Sequence, residues 1–114
     1  MLIASRTVGM LLTTILVLVS ALPARAQDAA KGQKVYAAQK CQACHAIAGK
    51  GSKANPLDGV GGKLTADDLR QWITNPTEMT AKAQSTKKPP MQNKYSKLPA
   101  ADIDGLVAYL QSLK

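Results

Sequence analysis

The chain has 114 residues, with 15 Lys and Arg against 7 Asp and Glu, two cysteines and one histidine. That length holds one domain and excludes a multidomain enzyme or a porin, and two cysteines exclude a disulfide-rich scaffold. Phenylalanine is missing, and the aromatic residues are Tyr36, Trp72, Tyr95 and Tyr109, so bulky core material is scarce.

The first 26 residues read as a secretory leader. Arg6 gives a positive start, and Val8 to Leu22 is an apolar run broken by Thr13, Thr14 and Ser20. Ala24-Arg25-Ala26 then precedes the polar Gln27 in the small-x-small pattern of a cleavage site. The run falls short of the roughly 20 apolar residues of a spanning helix. Cleavage after Ala26 and a periplasmic location are therefore expected, in preference to an uncleaved anchor. The remainder, residues 27–114, has 35 apolar residues, of which 14 are alanine. A domain with so little bulk usually relies on a metal, a disulfide or a cofactor. Its basic residues are 12 lysines and Arg70, against all 7 acids.

The first predicted helix is capped by Asp28, runs to about Lys40 and carries Gly32, Val35 and Tyr36 on one side. Cys41-Gln42-Ala43-Cys44-His45 follows, a C-x-x-C-H run. In an exported protein this reads as a c-type haem attachment site. The two thiols add across the haem vinyl groups as thioethers, and three-residue spacing puts them on one face of a helical turn. His45 is next in line to ligate the iron. A disulfide, a thioredoxin-like site and half of a zinc site compete. The thioredoxin-like motif belongs near a βαβ pattern, which is lacking, and no second Cys-x-x-Cys or histidine completes a zinc set.

Thr65 caps the second predicted helix, with Asp67 and Asp68 in its first turn; Leu69, Trp72 and Ile73 recur at helical spacing, and Asn75-Pro76 stops it. Pro99 opens the third, where Ile103, Leu106, Val107, Leu110 and Leu113 form one stripe and Asp102 and Asp104 favour the positive end. Two loops, 46–63 and 76–98, are long for so small a domain, and wrapping a cofactor is one reason for such length. The sequence contains no internal repeat.

Taken together, Cys41-Gln42-Ala43-Cys44-His45, a later methionine and the segment from Leu98 to Leu110 resemble a small class I cytochrome c over Asp28 to Lys114. The resemblance implies an all-α fold, with three main helices wrapped around one covalent haem c. It implies that Gly32 lets the first and last helices cross closely, with Tyr36 and Tyr109 packed nearby. It also implies a methionine as second axial ligand. Met91, in Lys87-Lys88-Pro89-Pro90-Met91 ahead of the last helix, matches the family setting, although Gln92 follows it where proline is common. Met79 is then an exposed loop residue or a gap-filler. Asn55-Pro56-Leu57-Asp58-Gly59 is similar to the family loop whose proline carbonyl accepts from the ligand imidazole, which assigns that role to Pro56; the residues alone also fit a plain turn. Trp72 resembles a tryptophan that donates to a haem propionate, and a buried core aromatic fits it equally well.

The implied function is one-electron transfer between periplasmic redox partners by a His45/Met91-ligated haem, a carrier and not an enzyme in its own right. Lys40, Lys87, Lys88, Lys94 and Lys97 flank the ligand segments and would steer acidic periplasmic or membrane-bound redox proteins to the haem edge. An ordinary solvated lysine surface is the plainer reading. Nucleic acid is not an expected partner. Alternatives are a haem subunit held in a periplasmic dehydrogenase complex (sulfite- or alcohol-oxidising, for example), a five-coordinate haem for gases or peroxide, and a haem-free thiol protein.

Overall fold

The computed structural model describes residues 24–114. The apolar run of the expected leader lies outside them. Helix α1 spans Ala24–Ala38, so Asp28 sits inside the helix and not at its cap. Ala24, Arg25, Ala26 and Gln27 are good helix formers and carry the helix through the expected start.

The fold is all-α, with one exception. A two-residue antiparallel pair, β1 (Ala46–Ile47) and β2 (Lys50–Gly51), follows a 3₁₀ turn at Cys41–Ala43. Then come α2 (Val60–Lys63), α3 (Ala66–Thr74), α4 (Pro76–Lys82), a second 3₁₀ turn at Asn93–Lys97 and α5 (Ala100–Gln111). The three expected helices are α1, α3 and α5. The long loops are in fact partly helical, at α2 and α4.

Pro76 accounts for the α4 correction. It does end α3, but it also occupies the first turn of α4, where its missing N–H leaves no bond unmade. Asn75 closes α3 and opens α4, and its side-chain amide donates to Glu78. Thr65 caps α3 as expected: its hydroxyl accepts from the Asp68 N–H at 3.1 Å, while the Asp68 carboxylate accepts from the Thr65 N–H at 3.1 Å.

The dominant contact is α1 against α5. A Cβ on Gly32 would overlap the Gly105 carbonyl, so side chains larger than hydrogen are excluded where the two backbones meet. Gly105 has no large partner role in the sequence pattern, yet it is buried and forms the other half of this crossing. One turn on, Tyr36 meets Tyr109 edge to face, with centroids 5.7 Å apart and planes at 67°. Val35 and Tyr36 of α1, Leu69 and Ile73 of α3, and Ile103, Leu106, Val107 and Leu110 of α5 make the core. Outside it, the Arg70 guanidinium reaches the Asp104 carboxylate at 2.7 Å, tying α3 to α5 at the surface.

Gly32→Ala should cost about 3 kcal/mol of stability, because backbone and not a flexible side chain must move. Thr65→Ala should cost about 1 kcal/mol through the lost cap. Denaturant unfolding measures both, and a Gly32→Ala chain as stable as the parent would contradict the close crossing.

Candidate haem site

The C-x-x-C-H run begins directly after α1, because Lys40 adopts a left-handed conformation (φ 56°) that turns the chain into the 3₁₀ turn. Cys41 is half-buried, Cys44 is exposed, and both thiols are free, so the structure contains no Cys41–Cys44 disulfide. Burial pushes the Cys41 thiol up from its ordinary pKa.

His45 is half-buried, and its Nδ1–H donates to the Asn55 carbonyl at 3.1 Å. The expected acceptor was Pro56. The difference follows from strand geometry. Ala46 and Pro56 form a parallel bridge, in which the Ala46 N–H donates to the Asn55 carbonyl at 3.3 Å and the Leu57 N–H to the Ala46 carbonyl at 2.8 Å. Successive carbonyls of an extended chain point opposite ways, so the Asn55 oxygen faces His45 and the Pro56 oxygen turns away. With Nδ1 protonated, Nε2 keeps its lone pair. Burial lowers the His45 pKa and the Asn55 bond partly opposes this, so the neutral imidazole prevails at neutral pH.

Two adjoining cavities, of about 220 and 290 Å³, share Cys41, His45, Met91 and Tyr95 as walls. The first is mostly apolar and reaches inward to Leu69, Ile73, Leu106 and Leu110, with Trp72 and Tyr36 also on its wall. Cys44 and the lysines Lys40 and Lys94 line the second. Met91 therefore faces the same space as His45. Met79 lies elsewhere: it is buried in α4, as the gap-filler reading has it, and touches neither cavity. Lys40, Lys87, Lys88, Lys94 and Lys97 are all exposed. The Lys87 ammonium donates to the Ala54 carbonyl at 2.8 Å, joining the Met91 segment to the loop that orients His45.

A mostly apolar cleft lined by a ligand-ready imidazole and a thioether, with two free thiols on its walls, fits a covalently tethered planar group. Residues 29–114 match the family model described as Cytochrome c. The chain belongs to the cytochrome c family. It accordingly carries a covalent c-type haem, the group through which this family transfers electrons. Similarity extends to the Cytochrome c oxidase subunit 2 of Alkalihalophilus pseudofirmus (strain ATCC BAA-2126 / JCM 17055 / OF4), which is 32% identical over 93 residues covering 74% of this chain. The chain spans only 25% of that relative's length. No solved structure matches significantly. Among the described residues no helix is long and apolar enough to cross a membrane.

Sequence reasoning missed Asn55, Gly105 and the hydroxyl of Tyr36. For Asn55 the sequence carries no signal, since the bond is made by its main chain. For the same reason Asn55→Ala should keep the His45 bond. Nitrogen NMR of His45 should show a protonated Nδ1 in both parent and variant, and loss of that proton signal in Asn55→Ala would assign the bond to the side chain.

The lowered His45 pKa also sets a pH window. The unfolded chain takes up a proton at His45 near the ordinary value of 6.5, which the folded chain resists. Stability should fall as pH drops below about 6.5, before the carboxylates titrate. Urea midpoints between pH 7.5 and about 5 check this, and a flat profile would count against it.

Proposed function

We propose that the protein is a periplasmic one-electron carrier whose haem iron is ligated by His45 and Met91 and held covalently by Cys41 and Cys44. The observation that carries this reading is the shared cavity: His45, Cys41 and Met91 line it together, and Met79 does not. When bound, the haem supplies a ferric/ferrous couple that stores one electron. The protein's own residues do the rest. Asn55 orients the His45 ring and keeps Nε2 free to ligate. Pro89 and Pro90 stiffen the segment ahead of Met91, so less entropy is lost in fixing its sulfur. With His45 and Met91 as its ligands the iron would offer no open position to a substrate, and the methionine would favour the reduced state. Trp72, on the cavity wall, would donate its indole N–H to a haem carboxylate.

Residues 1–26 would be a leader removed on export, a reading supported by their composition and by a family match that begins at residue 29. Docking would use the exposed lysines around the second cavity. Lys40 and Lys94 line it and Lys87, Lys88 and Lys97 stand near in sequence, a basic rim suited to acidic redox partners in fast, salt-sensitive encounters. A second reading, a haem subunit of a larger oxidoreductase, is favoured by the likeness to a quarter of an oxidase subunit. A sulfite- or alcohol-oxidising dehydrogenase would serve as such a complex too. Size exclusion of the native protein separates carrier from subunit.

Met91→Ala should abolish the weak red absorption of methionine-ligated ferric iron, while Met79→Ala keeps it. Loss in Met79→Ala, or persistence in Met91→Ala, would sink the ligand assignment. Neutralising Lys87 and Lys88 together should slow reduction by an acidic redox protein about tenfold at low salt and flatten its salt dependence. Unchanged rates at every ionic strength would remove those lysines from the docking surface.

A further inference from the structure

The Tyr36 hydroxyl is the one buried side-chain polar atom among the described residues that has no hydrogen-bond partner. Tyr36 is 9% exposed and lines the inner cavity beside Cys41. A buried hydroxyl without a partner is costly, and a phenylalanine ring would fill the same place without that cost. The ring has little freedom to carry its hydroxyl to water. Tyr109 packs against it edge to face, and the Gly32–Gly105 crossing pins the helices behind both. Burial, then the neighbouring Cys41, Tyr109 and Asp58, push its pKa up to about 12. The phenol thus keeps its proton throughout the neutral range and offers a donor.

We propose that the Tyr36 hydroxyl is a hydrogen-bond donor held for an acceptor that enters the cavity with the haem, which makes Tyr36 a positioning residue that raises the centre's potential. The inference rests on the preceding reading of this cavity as the haem site. Its sign is specific. A donor aimed at the bound group stabilises the more electron-rich, reduced state, so its removal lowers the midpoint potential. Simple loss of polarity works the other way, because a more apolar pocket disfavours the oxidised, more positive state.

The experiment compares the haem-loaded full chain with Tyr36→Phe and Tyr109→Phe. Tyr36→Phe preserves the ring contact and removes only the hydroxyl. Tyr109→Phe removes the other phenol of the pair, which is half-buried. Haem that stays on the chain in acid acetone establishes loading. Tyr36→Phe should then raise the unfolding equilibrium constant about tenfold and lower the midpoint potential, while Tyr109→Phe changes stability by less than about threefold. A loaded Tyr36→Phe chain that is as stable as the parent, or has an equal or higher potential, overturns this inference and leaves the haem reading standing. So does a high-resolution structure of the loaded protein in which the hydroxyl bonds only to an enclosed water. A parent chain that holds no covalent haem overturns both.

Discussion

Where α1 meets α5, two glycines face each other, and the placement of the Cys41–His45 run and of the inner cavity wall depends on that contact. Gly32 lets the two backbones approach to a distance that a methyl group on it would prevent, because that group would overlap the Gly105 carbonyl. The approach brings Tyr36 against Tyr109 and sets the angle at which α1 delivers the chain to Cys41. Residues 41–45 follow α1 with little intervening chain, so thiols and imidazole inherit their placement from the crossing. The inner faces of both helices then supply Tyr36, Leu106 and Leu110 to the cavity wall.

The core is small for a domain of this size, and the site explains why it suffices. Eight buried side chains from α1, α3 and α5 form one cluster, and the inner cavity opens against five of them. An apolar prosthetic group in that space would extend the cluster and replace side-chain bulk that the chain lacks. The polar features are arranged at the edge. Lys40 and Lys94 line the outer cavity, while the unpartnered phenol of Tyr36 stands on the wall of the inner one. Apolar burial within and positive charge at the rim are the two conditions for a high potential and for steering of acidic partners.

Much of this was legible from residue type and spacing. The Cys41–His45 run, the Thr65 cap with Asp68, and the α5 stripe each follow from local chemistry that leaves a sequence pattern. Three features were not. Pro76 reads as a stop, but proline is equally suited to a first helical turn, and only packing decides that the chain continues as α4 with Met79 buried. Pro56 reads as the acceptor for His45, whereas alternation of carbonyls along an extended segment hands that role to Asn55. Gly105 carries no signal of its own in the sequence, because its place is set by Gly32 across the crossing.

The sequence by itself determined the chemistry on offer: two thiols and an imidazole in a C-x-x-C-H run, the three main helices, and how rich in lysine the chain is. Those properties reside in side chains and in their separation along a few turns. Only the tertiary structure decided between Asn55 and Pro56 as the orienting carbonyl, that Met91 lines one cavity with His45, and that the Tyr36 hydroxyl is enclosed without a partner. Each of these choices depends on main-chain direction or on contact between residues far apart in the chain, neither of which residue type encodes.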